Sequence, residues 1–389
     1  MLNGSNATQP RLRVLIVGGG IGGLTLAALM RQRGICPEIV ERTHDYGGVG
    51  YALSLWPAGS DILKGLGLHA ALEAVSMRGE CYEIHDERGE LLNHSTFLPI
   101  EQRFGAAYLV ERARLIDVLR GGADGLWLRM GTSVDALDDT GREVEVTFSD
   151  GSSGRYDLVV GADGLRSRVR ELLFGEVRPR YLGMTGWAFW LPEELLPPGM
   201  IHEYWGAGRF VGLYPAPGRL CSFIAAVAPE GEADPVEHRA ARIRELFADF
   251  GGVAAKAIDS MPDAGGIWHD DFLDLPLPVW HRGRIVLTGD AAHAILPTAG
   301  IGASMAMESA AVLAEELSRT DAVYVERALE RYFARRKPRV DRVQRDSRFL
   351  GKAVELSRSP LVALRDAAVR RMSEATLARA FARVLEGPI

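Results

Sequence analysis

Three glycine-bearing segments hold the residues of this chain best suited to chemistry: Val17-Gly18-Gly19-Gly20-Ile21-Gly22-Gly23, Gly161-Ala162-Asp163-Gly164-Leu165-Arg166-Ser167 and Thr288-Gly289-Asp290-Ala291-Ala292-His293. The first follows an apolar run, Arg13-Val14-Leu15-Ile16-Val17, and opens the helical pattern Leu24-Thr25-Leu26-Ala27-Ala28-Leu29-Met30. That is the setting a dinucleotide-binding fingerprint requires. Gly18 then permits the tight turn, Gly20 lets the backbone approach a pyrophosphate, and Gly23 lets helix and strand pack closely. Ile21 and Gly22 complete the loop, and the phosphates sit at the positive end of the helix. The next strand, Pro37-Glu38-Ile39-Val40-Glu41-Arg42, ends in an acidic residue roughly 20 positions after Gly18, where a ribose-binding carboxylate falls. Glu41 is the expected ribose ligand. With the other two segments far along the chain, one large cofactor is gripped from both ends of the sequence.

The elements that must position these segments alternate between two patterns. After the first βαβ unit come a glycine turn, Gly47-Gly48-Val49-Gly50, and a helix over 58–66. Residues 80–98 read as a hairpin turning at Glu87-Arg88-Gly89-Glu90. Residues 115–120 are helical, 142–148 form a strand before Asp150-Gly151, and 156–160 return to an apolar strand that runs into the middle glycine segment. Residues 181–275 change to short strands rich in Trp, Tyr, Phe and Val, such as 208–213 and 220–227, the pattern of a mostly antiparallel second domain. A buried strand over 284–288 follows, and from Gly302 onward the chain is almost entirely helical.

Composition fits an enzyme of two or three domains: 389 residues with a net charge of −6 give no reason to expect nucleic acid or an anionic membrane. Three unpaired cysteines, Cys36, Cys81 and Cys221, form no CxxC, and the histidines show no HxxxH or HxH spacing. Neither a disulfide framework nor a metal site is expected, and no GxSxG elbow supports serine hydrolase chemistry. The first ten residues read as a disordered tail without a signal-peptide core, and no apolar run reaches membrane length. A cytoplasmic enzyme, monomer or homodimer, is the expectation.

The three ordered motifs resemble those of the class A flavoprotein aromatic monooxygenases, the group that includes p-hydroxybenzoate hydroxylase and salicylate hydroxylase. The likeness runs from about residue 12 to about 350 and takes in Leu55-Trp56-Pro57 and Tyr332-Phe333-Ala334-Arg335-Arg336-Lys337-Pro338-Arg339. It implies an α/β fold: a Rossmann-like FAD-binding domain of the GR2 type (11–79, 100–180, 276–350) interleaved with a mostly antiparallel substrate domain (80–99, 181–275). Helices over 351–389 would cap the flavin domain or form an oligomer contact. It further implies non-covalent FAD, NADPH or NADH as co-substrate, and hydroxylation of an aromatic or polycyclic molecule by O₂ through a flavin C4a-hydroperoxide.

Carried onto this chain, the resemblance gives Glu41 the adenosine ribose, Arg42 the adenine side, and Arg112 the pyrophosphate or ribityl chain. Gly289 and Asp290 would meet the ribityl, Asp163 would brace that end, and Pro297 would lie against the isoalloxazine. The N–H groups of Gly300, Ile301, Gly302 and Ala303 would face the flavin edge, where a helix N-terminus suits the negative charge of reduced flavin. Many relatives carry Asn where this chain has Ser304. His293 reads as a structural histidine. In strands of period two, Trp187 and Phe189 share a face opposite Trp190, and His202 shares a face with Tyr204. The aromatics Trp187, Phe189, Tyr204, Phe210 and Tyr214 suit a flat ligand or a plain core, and His202, Tyr204 and Tyr214 are the candidate substrate contacts.

Two alternatives stand beside this reading. Trp187-Ala188-Phe189-Trp190-Leu191-Pro192 is similar to the tryptophan motif of flavin-dependent halogenases, which need a separate reductase and a catalytic lysine. Of the four lysines here, Lys64 alone lies in the first half. The other alternative is a non-catalytic relative that sequesters flavin or ligand.

Overall fold

The computed structural model describes residues 12–47, 50–263 and 265–387. The expected tail, Arg11 at the start of the first domain, the middle of the 47–50 turn and the last two residues of the C-terminal segment lie outside them. The first domain is built on a six-stranded sheet in the order His281–Arg282, Ile285–Leu287, Leu158–Gly161, Val14–Val17, Glu38–Glu41, Leu128–Met130. All pairings are parallel except the edge hairpin. The strands read VLIV, LVVG and IVL and are buried at every position, as a parallel sheet covered on both faces requires. Val17 lies opposite Val40 and Gly161, and Gly161 opposite Leu287. The register therefore brings all three glycine segments, and Glu41, to the same carboxyl edge of the sheet, where ligands bind in open α/β folds.

Helices Ile21–Gln32 and Gly302–Ser318 pack together over this sheet. Their contact passes through Gly22, where a Cβ would meet the Ala306 methyl at an ordinary 3.6 Å.

The second domain is a seven-stranded sheet in the order Trp268–Asp274, Arg180–Leu191, Arg219–Val227, Arg209–Ala216, Met200–Trp205, Cys81–Asp86, Leu91–Thr96. It is antiparallel apart from the pairing of Met200–Trp205 with Cys81–Asp86, so the hairpin expected at 80–98 is the far edge of a sheet formed mostly 100 residues later. Two helices, Val236–Leu246 and Gly252–Asp259, cover one face; the pattern reading took the segment as strands throughout. The opposite face meets the first domain, where the Ala52 N–H donates to Cys221 Sγ at 3.3 Å and Tyr51 packs on Trp268 at 5.0 Å.

The C-terminal helices bear on both domains. After the long helix Val325–Val354, Ser359–Arg370 and Glu374–Leu385 dock chiefly on the second sheet. Asn93 donates to the carbonyls of Val369 and Met372, Thr96 donates to Glu374, and Arg365 reaches the carbonyls of Trp205 and Gly206. The physical reason is the edge strand Leu91–Thr96, whose buried Leu92 and Asn93 need a cover. The last helix also touches the first domain, through helix Leu98–Phe104 with Arg103 on Glu386 at 2.7 Å, through Phe381 on Trp56 and through the Glu386 carbonyl on Arg339.

Candidate active site

At the carboxyl edge the backbone is shaped for close approach. Gly18 has φ 112°, and a Cβ there would overlap the Ala162 carbonyl; one on Gly23 would overlap the Gly18 carbonyl. Gly20 caps the helix and would meet nothing within 4 Å, so the loop is tight against protein on two sides and open on the third. Glu41 is held there by the N–H groups of Gly19 (2.7 Å) and Thr43 (2.9 Å), while Tyr46 donates to the Gly19 carbonyl. Arg42 is exposed beyond the strand.

Asp163 faces inward to its own segment. It accepts from Ser167 Oγ at 2.6 Å and from the Val169 N–H at 3.1 Å, bracing the start of helix Arg168–Phe174. Arg170, which sequence reasoning passed over, ties this segment to the third: its buried guanidinium donates to the carbonyls of Leu165 (2.6 Å) and Ala291 (3.0 Å). Beyond it Gly289, at φ 59°, turns the chain so that Asp290 starts a short helix.

Asp290 is enclosed by protein yet has an accessible surface, the combination of a cleft floor. Enclosure raises its pKa to about 6, and Arg112 acts to lower it. Water reaching its accessible face solvates the charge. Arg112 opens helix Arg112–Gly122 and donates its N–H to the Tyr51 carbonyl at 3.0 Å.

The expected flavin edge is a 3₁₀ turn, Pro297–Ala299, then Gly300 in the left-handed region at φ 58° and helix Gly302–Ser318. By position, the first N–H groups of that helix, including Gly302 and Ala303, have no intrahelical acceptor. Pro297 is exposed. Trp56 fastens the turn, its indole N–H donating to the Gly300 carbonyl (3.1 Å) and its backbone N–H to Ser304 Oγ (3.0 Å). Ser304 thus serves as a buried brace. A Cβ on Gly59 would stand 3.0 Å from its oxygen, so the pocket around it is full. His293 is structural: buried against Trp280 (4.8 Å), bonded to Ser309 at 2.9 Å, and driven down to about pKa 3 by burial.

Across the cleft, the register sorts the aromatic candidates. Trp187, Phe189, Tyr204 and His202 lie on the far face of the sheet; the first three pack with the core beneath helices Val236–Leu246 and Gly252–Asp259, and Trp187 donates to Asp234 at 3.0 Å. His202 and Tyr204 are thereby removed as substrate contacts, because residues sharing a face with the buried Trp187 core cannot also face the cofactor. Phe210 is on the near face but packed among Leu296, Val354 and Val369. Tyr214 remains, and it brings residues the sequence did not single out. Its hydroxyl donates to Glu203 Oε1 at 2.9 Å, while Trp205 Nε1 (3.0 Å) and the Tyr82 hydroxyl donate to Oε2. Glu203, Tyr82 and Tyr214 share the signature of Asp290, enclosed but partly accessible, and burial raises the Glu203 pKa. Tyr51, Phe223 and Trp268 extend this wall in an aromatic row. Lys64 is exposed on helix Pro57–Gly65, outside the cleft.

These groups fit an FAD: a glycine loop open on one side, a fixed carboxylate at the second strand end, an accessible Asp290 beside Arg112, and a helix N-terminus at the far end. The sequence matches the family model described as FAD binding domain over residues 11–347. It is 35% identical to the aurachin C monooxygenase/isomerase of Stigmatella aurantiaca, over 82% of this chain and 86% of the relative. It is 31% identical to the 2-heptyl-3-hydroxy-4(1H)-quinolone synthase of Pseudomonas aeruginosa, over 97% and 98%. Among solved structures, Klebsiella pneumoniae HpxO complexed with FAD and uric acid superposes with a TM-score of 0.89 at 27% identity, covering 98% of each chain.

Proposed function

The chain belongs to the FAD-binding-domain family of aromatic monooxygenases, and from that premise we propose that its substrate is a flat, fused N-heteroaromatic whose ring N–H or O–H is received by Glu203. The enzyme is an FAD-dependent monooxygenase that uses NAD(P)H, and this reading stands above the halogenase-like and sequestering alternatives. FAD supplies the redox chemistry when bound, accepting reducing equivalents from NAD(P)H and delivering one oxygen atom of O₂ to the ring.

The protein's share is placement. Glu41 and the Gly18–Gly23 loop hold the adenosine and phosphate end, Asp290 and Arg112 the middle. The Gly300–Ala303 N–H groups offer positive potential to the reacting edge. Tyr51, Trp268 and Phe223 supply a flat apolar wall that excludes water.

The observation that carries the substrate proposal is the Glu203 carboxyl with its three donors on the cleft-facing side of the sheet. A carboxyl in an apolar wall is costly unless something polar meets it. One in which both oxygens already accept from the protein is fixed in direction, and with three of about four lone-pair sites taken, one is left for a substrate donor. The product named for the quinolone synthase and the uric acid bound by HpxO both present ring N–H groups on fused bicyclic frames. The test is anaerobic stopped-flow reduction of the bound flavin by NADH and NADPH with 4-quinolones, uric acid, hydroxybenzoates and N-methylated quinolones. Acceleration by N–H heteroaromatics that N-methylation abolishes supports the proposal. Equal acceleration by N-methylated ligands or by hydroxybenzoates alone sinks it.

A further inference from the structure

On the far face of the substrate sheet, away from the cleft, three groups converge that the monooxygenase reaction does not use. Glu83 and His85 are two apart on strand Cys81–Asp86 and therefore point to one side, and the parallel register sets His202 of strand Met200–Trp205 directly beside Glu83. Glu83 Oε2 stands 3.1 Å from His202 Nε2 and 3.3 Å from His85 Nε2. The first contact lacks hydrogen-bond geometry, for His202 Nε2 is buried without a hydrogen-bond partner; the other ring nitrogen of His85, Nδ1, is likewise buried and unpartnered. Bonds of about 2.0–2.1 Å to a tetrahedral Zn²⁺ separate its ligand atoms by about 3.3 Å, which the two Glu83 separations match; the three ligand atoms lie within 4.8 Å of one another, so the two imidazoles must draw together on the ion.

We propose that Glu83, His85 and His202 form a site for a divalent cation of the zinc type, held by two imidazoles and one carboxylate with water completing the tetrahedron. The ligand set suits it, because imidazole and carboxylate together favour Zn²⁺ over the oxygen-seeking Mg²⁺ and Ca²⁺. Both histidines are more than nine-tenths buried, and burial keeps their pKa values below the ordinary histidine range, the neutral form that metal ligation needs. Outer partners are present as well: Tyr204 Oη lies 3.4 Å from His202 Nδ1, its ring stacks on His85 at 4.8 Å, and His94 Nδ1 engages the second oxygen of Glu83 at 3.1 Å. Glu83 remains partly accessible and gives the ion a way in. Bound there, the ion cross-links the hairpin at 81–96 to a strand more than 100 residues later, and the same two strands present Tyr82 and Glu203 to the cleft on their other face.

The experiment is a calorimetric titration of chelator-treated, FAD-loaded full-length protein with Zn²⁺ against a competing chelator, with thermal unfolding followed in parallel. One Zn²⁺ per chain and a melting temperature that climbs with Zn²⁺ concentration are expected. H94Q, which removes an outer partner, should weaken binding by roughly tenfold, and H85Q and H202Q, which remove ligands, should each weaken it by more. FAD content reports folding, and if H202Q loses its flavin, H85Q and E83Q carry the comparison. Absence of saturable binding, or equal affinity in H85Q and the parent, overturns the site.

Discussion

Replacing Glu203 tests the cleft assignment through both stability and pH. In the native protein Oε1 accepts from Tyr214 at 2.9 Å, and Oε2 accepts from Trp205 at 3.0 Å and from Tyr82. In E203Q the amide oxygen can keep Trp205 and Tyr82 while the amide NH₂ turns to Tyr214, whose hydroxyl can accept, so the loss should stay near 1 kcal/mol. E203L strands all three donors. At about 1–3 kcal/mol for each unsatisfied buried group, and the low end for the two hydroxyls that cleft water reaches, the loss is about 3 kcal/mol or more. The pH dependence carries a definite sign. Burial raises the folded pKa of Glu203 above its ordinary 4.5, so the folded protein holds this proton more tightly than the unfolded chain. That contribution is full below 4.5 and is lost as pH rises through the folded value. E203Q cannot lose it, so the stability of E203Q relative to the parent should increase with pH and then level off. Urea unfolding of the FAD-loaded proteins, followed by circular dichroism across this range, reads both quantities. E203L within 0.5 kcal/mol of the parent (about a twofold change in the unfolding constant), or a flat E203Q difference with pH, would refute the buried, three-donor carboxyl.

Other residues make separate demands. D290N removes the accessible carboxylate beside Arg112, and equilibrium dialysis should show FAD affinity down by roughly 10-fold to 100-fold, as for loss of a charge-assisted hydrogen bond, with the fold intact. S304N places a longer side chain where Gly59 leaves no room and disturbs the acceptor of the Trp56 N–H. It should cost about 1–3 kcal/mol in thermal unfolding and shift the flavin absorbance bands through the Gly300 turn. H293Q should leave the pH profile of flavin reduction unchanged, because burial already holds His293 neutral at about pKa 3; a lost inflection near neutrality would restore it as a base.

Legibility followed the range of the physical signal. The glycine loop, Glu41 and the strands around them were readable because each signal is local: apolar strands buried on both faces show as unbroken runs, and a backbone that must pass the Ala162 carbonyl accepts only glycine at position 18. The two helices over 236–259 were missed because one amphipathic stretch between aromatic strands carries little weight against the strand pattern around it. The sequence marks Ser304 only as a departure from the Asn of many relatives, whereas packing against Gly59 and Trp56 makes it a brace.

By itself, the sequence determined the dinucleotide-binding loop with its acidic partner and the apolar strands of a sheet covered on both faces, since these rest on backbone conformation and on local runs of residue type; the resemblance carried by the three motifs implied FAD. The tertiary structure alone decided which face of the second sheet looks at the cofactor. Period two pairs His202 with Tyr204 and Glu203 with Trp205 but is blind to which pair faces in, and a one-residue change of register exchanges them. That choice was made by the helices covering Trp187 and by the first domain meeting Cys221 and Trp268. The same register, acting between strands more than 100 residues apart, gathered Tyr82 with Glu203 on one side and Glu83 and His85 with His202 on the other, groupings no local spacing records.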